Sequence, residues 1–405
     1  MPPVSDPAAS GNLRPILRSP SLLTREVLAG VLTALALIPE VISFSVIAGV
    51  DPQVSLIASV VLCLAMSVFG GRPAMVTAAA GSVALVIGPM VHQHGVGYIL
   101  PAVILAGIIQ ILFGLCGMAR LMRFIPPAVM TGFVNALGIL IFFAQVPHFW
   151  SRQPLIVGLF VLTLLIVLWA PRVIKAIPAP LIAIVALTLY TATTGQQLPT
   201  VGDEGSMSGG LPGFTALTVP LNLTTLQIIW PCALSIAFVG LMESLLTAKL
   251  VDDLTHTSSN KSRESAGLGI ANILAGCAMI GQTIVNVEMG RARSRLSTVI
   301  AGLVLLLLVT ALSQVMAKIP MAVLAGVMVI VAVKTFSWRS IRPGELARNP
   351  WPETLVMLVT VAATVGTSNL AIGVLAGIVA MAIIPRRLRA KAQATLETAS
   401  PDPEK

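Results

Sequence analysis

Charged residues are scarce in this chain of 405 residues. They make up 10% of the sequence, whereas soluble globular domains contain about 25%. Hydrophobic residues make up 56%, and the mean hydropathy is +0.94. These values exclude a soluble globular domain and indicate a polytopic membrane protein. The net charge of +9 does not indicate nucleic-acid binding, because the basic residues follow membrane topology, as shown below.

The sequence also lacks the residue clusters that catalysis or metal binding requires. Cys63, Cys116, Cys232 and Cys277 occur singly in apolar segments, with no C-x-x-C pair and no His at ligand spacing. We therefore expect buried free thiols, no disulfide, no metal and no cofactor. No nucleophile and base stand in a catalytic pattern, so an enzyme is not expected. The proline-rich first 20 residues contain no apolar run, which indicates that no signal peptide is cleaved.

Fourteen apolar segments follow one another along the chain. They cover about 24–48, 53–69, 74–90, 98–118, 124–146, 154–170, 178–194, 224–248, 264–277, 279–289, 296–316, 321–335, 351–366 and 369–385. If they alternate in direction, all of the 25 Lys and Arg except Arg152 and Lys318 lie on one side. The positive-inside rule then places both termini in the cytoplasm and the protein in the plasma (inner) membrane.

Two of these segments are too short to cross a bilayer, which requires roughly 20 residues. The first follows Gly70-Gly71-Arg72-Pro73, is interrupted by Gly81 and is closed by Gly88-Pro89. The second begins near Gly276, is broken by Gly281 and ends near Gly290, before three arginines at 291, 293 and 295. Short interrupted helices in corresponding positions of two halves are typical of inverted-repeat transporters, which bind their substrate there.

Glu40 and Glu243 lie within apolar segments and precede the two short segments by about 40 residues. They are 203 positions apart, and the same offset carries Gln282 onto Ala79. Acidic residues within membrane spans are costly and usually functional, so both are candidate proton-coupling residues. The alternatives are structural: Glu40 can bond a carbonyl freed by Pro39, and Glu243 can act as a hydrogen-bonded strut between helices.

The interiors of the spans, away from their ends, contain no Lys or Arg, so an anion at mid-membrane has to be held by helix N-termini. Small or polar residues are expected at those ends, and a serine or threonine alone is more often satisfied within its own helix. The three arginines near the second short segment are better explained by topology than by anion attraction. The predicted substrate-binding residues are Thr77, Gly81 and Ser82 at one helix start, Gly281, Gln282 and Thr283 at the other, and Phe44 after Glu40.

Several sequence blocks resemble the SulP family of anion transporters, the bacterial relatives of sulfate permease, pendrin and prestin. They are LAGVLTALALIPEVISFSVIAGVDP, RFIPPAVMTGFVNALGILIF, LMESLLTAKL with NKSRESAGLGIANILAG, and GQTIVNVEMGRARSRLSTVIAG, in family order. The resemblance covers about residues 20 to 390. It implies an all-α fold of fourteen segments in a seven-plus-seven inverted repeat, with substrate bound between short segments 3 and 10.

The resemblance also implies a core domain that moves against a gate domain like an elevator. The core is expected at 22–118 and 223–316, and the gate at 119–195 and 317–385. An N-terminal tail (1–21), an extracellular loop (196–222) and a C-terminal tail (386–405) complete the chain. A homodimer is a candidate assembly. The STAS domain with which most members end is absent, which leaves a truncated chain and a shorter subgroup as alternatives.

Two residues that differ from the family pattern argue against two of the functions found in the family. Gln282 stands where animal chloride-handling members look to have arginine, which argues against halide exchange. Glu243 stands where the sodium-dependent bicarbonate branch typically has Asp, and a hydroxyl is missing near Ile280, which argues against a sodium site. Glu40 resembles the acid that proton-coupled bacterial members carry in segment 1. The expected function is therefore proton-coupled symport of a small dicarboxylate such as fumarate. The alternatives are a sulfate or bicarbonate transporter or exchanger, an anion channel or motor-like protein, and a nucleobase:proton symporter.

Overall fold

The computed structural model describes residues 19–384, except 74, 118–124, 152, 175–176, 208–217, 221, 256–257, 277–281, 286–293 and 349. Within these residues the chain forms fourteen α-helices and two short strands. In chain order they are α1 (Pro20–Ala48), α2 (Pro52–Phe69), β1 (Met75–Ala78), α3 (Gly81–His94), α4 (Ile99–Leu115), α5 (Pro127–Phe149), α6 (Pro154–Val173), α7 (Ala179–Thr194), α8 (Leu223–Thr255), α9 (Lys261–Gly276), β2 (Gln282–Val285), α10 (Arg295–Met316), α11 (Met321–Thr335), α12 (Pro343–Arg348), α13 (Trp351–Thr367) and α14 (Leu370–Ile383).

The helices confirm the mainly helical, multi-pass fold that the apolar segments predicted. Every predicted segment except the one at 279–289 corresponds to a helix of at least 14 residues, and six-residue α12 adds a helix between two of them. Seven helical stretches are long and apolar enough to cross a bilayer, and four shorter apolar helices accompany them in the described residues. Exposed tryptophans at 150, 169, 338 and 351 lie near helix ends, where indole rings commonly mark the membrane interface.

Two compact units divide the chain. Unit 1 is formed by Met1–Arg120 and Gln145–Met328, and unit 2 by Leu121–Ala144 and Val329–Lys405. Both units are therefore built from separate stretches of sequence. The division into core and gate domains remains a prediction.

Glycines allow the helices of unit 1 to pack closely, which is a common device where lipid gives helices no hydrophobic reason to associate. A Cβ atom at Gly107 of α4 would lie 2.6 Å from the carbonyl oxygen of Gly269 in α9. Near this contact the buried Asn272 of α9 donates to Gln110 Oε1 of α4 at 2.7 Å. The helix pair α4–α9 is thus joined by backbone proximity and by a buried amide hydrogen bond.

The first short segment is a strand followed by a half-length helix. Gly81 is the first residue of α3, as its position predicted. The prediction that Gly88 and Pro89 close this helix was wrong, because α3 continues to His94. Pro89 therefore lies inside α3, and such a proline is tolerated in a membrane helix when neighbouring elements satisfy the freed backbone groups. Gly88 lets α1 approach closely, because a Cβ at this position would lie 2.9 Å from the Ile47 carbonyl.

The described residues of the second short segment form a strand. The sequence placed Gln282 and Thr283 at a helix start and Thr77 at another, and here it was wrong: Thr77 lies in β1, and the other two lie in β2. The strands pair antiparallel, with Thr77 opposite Thr283 and Ala78 opposite Gln282. Extended backbone at membrane depth leaves its N–H and C=O groups unsatisfied, and pairing satisfies them. The remainder of this segment, at 277–281 and 286–293, lies outside the described residues.

Unit 2 packs its helices through buried threonines and glycines. A Cβ at Gly132 of α5 would lie 2.7 Å from Thr360 Cβ of α13, and a Cβ at Gly377 of α14 would also meet Thr360. Thr360 satisfies its own hydroxyl by donating to the Val356 carbonyl within α13. This side chain is therefore a compact spacer between three helices.

Candidate functional site

The beginning of α3 is held in place by the neighbouring helix α2. The Ala79 N–H donates to Ser59 Oγ at 2.9 Å, and the thiol of Cys63 donates to the Thr77 carbonyl at 2.9 Å. Ala80 has the extended backbone of an N-cap residue, with no hydrogen bond from its own side chain to cap the helix. The first N–H groups of a helix have no partner inside it, so the start of α3 presents backbone donors and a partial positive charge.

Ser82 and Glu243 form the main polar contact at this helix start. The Ser82 hydroxyl is fully buried and donates to Glu243 Oε2. Glu243 lies on α8, which packs against α3, and its side chain is partly buried. Glu243 is a predicted proton-coupling residue, and Ser82 is a predicted substrate-binding residue. The structure brings the two side chains together although they are 161 positions apart in the sequence.

The strand pair closes the site on a second side. The hydroxyl of Thr298 on α10 donates to the Met75 carbonyl at 3.0 Å, which fixes the first residue of β1. The register then places Gln282 and Thr283 of β2 beside the residues that lead into α3. Gly281, another predicted binding residue, lies outside the described residues.

Glu40 and Phe44 lie on α1, which also packs against α3. Glu40 follows Pro39 and is partly buried, whereas Phe44, one turn further along, is 7% exposed. Between them, the Ser43 hydroxyl is buried and has no hydrogen-bond partner among the residues that the structure describes. An unbonded buried hydroxyl is costly, which makes Ser43 a further candidate ligand-binding group.

Glu264 is a functional candidate that the sequence analysis missed. This fully buried acid on α9 accepts hydrogen bonds from the N–H groups of Gly71 (2.7 Å) and Arg72 (3.2 Å) and from the Ser244 hydroxyl (2.7 Å). Gly71 and Arg72 precede β1, so Glu264 fixes the backbone that enters this strand. Its position just before the apolar run from Ala266 to Gly276 was a signal that could have identified it.

Arg72 is paired with an acid and does not provide an obvious anion-binding charge. Its Nη1 lies 3.1 Å from Asp252 Oδ1, and both side chains are largely buried. Burial lowers the pKa of Arg72, while the negative charges of Asp252 and Glu264 raise it. The guanidinium nevertheless remains charged at any physiological pH.

Arg295 also has a structural role. Its guanidinium donates to the carbonyls of Ser67 (2.8 Å), Val68 (2.9 Å) and Gly70 (2.6 Å), where α2 ends. A cation at a helix C-terminus satisfies carbonyls that have no partner inside the helix and opposes the negative end of its dipole. This favours the interpretation that this arginine does not serve to attract anions, whereas Arg291 and Arg293 lie outside the described residues.

A large cavity lies elsewhere in unit 1. It has a volume of about 730 Å³ and is lined by the end of α5, the segment at 197–204 and the start of α11, including His148, Asp203 and Pro320. The described residues contain no group of three or more His, Cys, Asp or Glu that could hold a metal ion. We therefore assign the candidate site from the bonded residues around α3 and not from cavity volume.

Comparison with known proteins places these features in a family context. A profile of the sulfate permease family matches residues 23–153 and 148–343. YbaR of Bacillus subtilis, which carries the name of a candidate sulfate transporter, is 48% identical over 372 residues, covering 89% of this chain and 76% of YbaR. The bicarbonate transporter BicA of Synechocystis is 27% identical over 318 residues, covering 69% of this chain and 55% of BicA.

Solved structures show the same fold. The transmembrane domain of a cyanobacterial BicA superposes with a TM-score of 0.75 at 24% identity, covering 88% of this chain and 97% of that one. The murine anion transporter Slc26a9 in the inward-facing state superposes with a TM-score of 0.76 at 15% identity, covering 93% of this chain and 70% of that one. At these identities the likeness concerns the fold alone.

Proposed function

The chain belongs to the sulfate permease family, and on this basis we propose that it is a secondary transporter of a small anion. The observation that carries the proposal is the hydrogen bond between Ser82, at the start of half-length α3, and Glu243 of α8. The bond places an ionisable group beside a helix N-terminus, which is the part of a helix that binds anions.

The anion would be held by dipoles. No Lys or Arg occurs from residue 73 to 119 or from 223 to 248, the stretches that supply β1, α3 and the inner part of α8. The available donors are the N–H groups of the first turn of α3, the Ser82 hydroxyl and the Ser43 hydroxyl. The paired strand β2 adds the predicted residues Gln282 and Thr283 to the same region.

Glu243 gives this arrangement a means of coupling to protons. In its ionised form the Glu243 carboxylate accepts the hydrogen bond of the Ser82 hydroxyl and repels an incoming anion. Protonation removes the repulsion and frees the hydroxyl to turn towards the anion. Because each ligand then favours binding of the other, the expected transport mode is symport of the anion with protons. Glu40 on α1 is the second candidate proton carrier, since α1 also packs against α3.

The cargo that we propose is a small anion with several oxygen atoms. Sulfate and bicarbonate occur in the names of the relatives, and a dicarboxylate such as fumarate is the substrate expected from the sequence. The proposed movement is of the elevator type, in which α1–α4 and α8–α10 carry the site across the membrane. The hydrogen bonds described above that hold β1 and α3 in place lie within this bundle.

Uptake into proteoliposomes tests the coupling. The panel contains sulfate, bicarbonate, fumarate, chloride and uracil, each measured with and without an inward proton gradient. We expect one oxyanion to accumulate when the gradient is present and Glu243→Gln to abolish the effect of the gradient, whereas exposed Asp253→Asn behaves as wild type. Glu40→Gln is tested in the same way. Unchanged gradient-driven accumulation in both Gln variants and in the double variant would rule out proton coupling through these acids.

Two other results of the panel would replace the proposed function. Accumulation of uracil would favour a nucleobase symporter. Anion conductance without proton flux would favour a channel or motor-like protein.

Ser82→Ala tests the anion cradle independently of coupling. Loss of one hydrogen bond to a charged ligand costs about 1.5–3 kcal/mol, so the KM for the anion should rise roughly 10- to 150-fold. The matched control is Ser67→Ala, since the buried Ser67 hydroxyl donates to the Leu64 carbonyl of its own helix. Equal KM values for Ser82→Ala and wild type would remove Ser82 from the binding site.

A further inference from the structure

Unit 2 contains two cavities on one face of α5. The first, of about 230 Å³, is lined by Thr131 in the second turn of α5. The second, of about 260 Å³, is lined by Gly138 and Phe142 of the same helix. Residues seven positions apart share a helix face and are separated by about 10 Å along the axis. The two cavities therefore follow one another along a single path down the helix.

The two cavities differ in chemistry. The first is a polar cup that contains Arg339 of the segment after α11, Glu353 of the first turn of α13, and the serines Ser337 and Ser340. The second is an apolar cleft lined by side chains such as Phe142, Phe143, Val333, Phe336 and Trp338. Of these, Phe143 is 60% exposed, Trp338 51% and Val333 42%, so the cleft opens outward on a hydrophobic surface.

A single segment separates the cup from the cleft. Residues 336–339 alternate between them, with Phe336 and Trp338 lining the cleft and Ser337 and Arg339 lining the cup, which Ser340 also lines. Buried Asn135 of α5 fixes this segment, because its Oδ1 accepts from the Ser337 N–H at 2.8 Å and its Nδ2 donates to Ser340 Oγ at 2.8 Å. The partition between polar and apolar chemistry is thus built into the fold.

Tryptophan positions indicate the depth of the cup in the membrane. Trp338 borders the cleft, and its indole N–H donates to the Val333 carbonyl at 2.7 Å. Trp351 begins the helix that carries Glu353 and is 55% exposed. Because indole rings concentrate at the membrane interface, Trp351 places the cup at the level of the lipid head groups, and Trp338 places the cleft next to it on the hydrocarbon side.

We propose that unit 2 binds one molecule of a zwitterionic amine phospholipid, phosphatidylethanolamine, with its head group in the cup and one acyl chain in the cleft. The charges are complementary, because the Arg339 guanidinium matches the lipid phosphate and the Glu353 carboxylate matches the ammonium. An anionic phospholipid such as phosphatidylglycerol has no cation for Glu353. Phosphatidylcholine has a quaternary amine that cannot donate a hydrogen bond to it.

Native mass spectrometry of the full chain tests this assignment. The protein is mixed with equal amounts of phosphatidylethanolamine, phosphatidylglycerol and phosphatidylcholine that carry the same acyl chains. We expect one retained phosphatidylethanolamine, with a preference of about tenfold or more over the other two, as one charge-assisted hydrogen bond would give. Arg339→Gln should lower retention of all three lipids by a similar factor. Glu353→Gln should remove the preference for phosphatidylethanolamine while phosphatidylglycerol remains bound.

Arg342→Gln is the matched control, since Arg342 is exposed at the same end of unit 2 but does not line the cup. Equal retention of the three lipids, or the same loss in Arg342→Gln as in Arg339→Gln, would show ordinary annular lipid and overturn the proposal. Stronger retention of phosphatidylglycerol would assign the cup to an anionic lipid instead.

A fluorescence measurement keeps the test independent of detergent. Phosphatidylethanolamine with brominated acyl chains should quench Trp338 in bilayers, which is measured as the difference between wild type and Trp338→Phe. Arg339→Gln should weaken that quenching. If chains carrying Phe143→Cys instead cross-link in pairs in the bilayer, and brominated lipid does not quench Trp338, the cleft is occupied by a second copy of this chain and the lipid assignment is wrong.

Discussion

Replacing Glu264 should destabilise the protein more than any comparable change of an exposed acid. Its carboxylate accepts hydrogen bonds from the N–H groups of Gly71 and Arg72 and from the Ser244 hydroxyl, and the side chain is fully buried. In Glu264→Ala the Ser244 hydroxyl can rotate to another acceptor, but the two backbone N–H groups cannot. A buried donor without a partner costs about 1–3 kcal/mol, so we expect the two donors together to cost about 2–6 kcal/mol.

Glu264→Ala and Glu264→Gln should lower the melting temperature by different amounts. At about 1.2 °C per kcal/mol for a chain of 405 residues, Glu264→Ala should lower the melting temperature by roughly 2–7 °C. Glu264→Gln keeps an oxygen that accepts from the two N–H groups, and its amide can donate to Ser244 Oγ. The glutamine variant therefore loses only the charge assistance of the bonds, about 1–2 kcal/mol.

Thermal unfolding in one detergent, followed by intrinsic fluorescence, measures these differences. Asp253→Ala is the control, because Asp253 is exposed near the end of α8 and its loss should change the melting temperature little. Since Gly71 and Arg72 lead into β1, the alanine variant should also lose substrate uptake at temperatures where it is still folded. A melting temperature for Glu264→Ala equal to that of Asp253→Ala would show that these hydrogen bonds do not stabilise the fold.

Two further predictions concern packing and the loop after α7. Gly107→Ala should cost about 1–3 kcal/mol and lower the melting temperature, because its Cβ would lie 2.6 Å from the Gly269 carbonyl. Gly158→Ala, whose Cβ would have no neighbour within 4 Å, is the control and should melt no lower than wild type. Hydrogen bonds from the Thr200 N–H and hydroxyl lower the pKa of Asp203. Because this pKa is lower in the folded state, ionised Asp203 stabilises the loop above the unfolded pKa of about 3.9. The stabilisation is lost as the pH falls from there through the folded-state pKa. The protection of the Thr200 amide against hydrogen exchange, measured relative to an unstructured peptide at the same pH, should therefore decrease below about pH 4 in wild type and should be low at every pH in Asp203→Asn.

The sequence predicted the helices well because burial in lipid imposes a strong pattern. A membrane helix needs an apolar run of defined length, and glycine or proline usually marks its ends. The predicted segments at 154–170 and 178–194 correspond closely to α6 and α7. Hydrophobicity alone determines these two helices, so they could be predicted without knowledge of long-range contacts.

The strand pair was not predictable in the same way. Four residues of extended chain give no periodicity that separates a strand from a short apolar helix. What decides the outcome is a backbone partner about 200 positions away, which only the folded chain supplies. The same reason explains why Glu264 was missed, since its significance arises from the N–H groups of Gly71 and Arg72, which lie far from it in sequence.

The register of the strands provides a test of the inverted repeat that is independent of the helices. The spacing of Glu40 and Glu243 makes Gln282 the repeat counterpart of Ala79, and the structure pairs Gln282 with Ala78, one residue away. Two equivalent strands related by a two-fold axis pair antiparallel, and residues near the axis then lie opposite each other's counterparts. The observed pairing therefore places a local two-fold axis just before α3. Because the axis passes next to the residue pair formed by Ser82 and Glu243, both halves of the chain contribute backbone to the proposed anion site, whereas the side chains around it differ. An anion bound there, as proposed, would meet strand backbone from both halves but only one bonded acid, Glu243, so the proposed proton coupling would draw its asymmetry from the side chains.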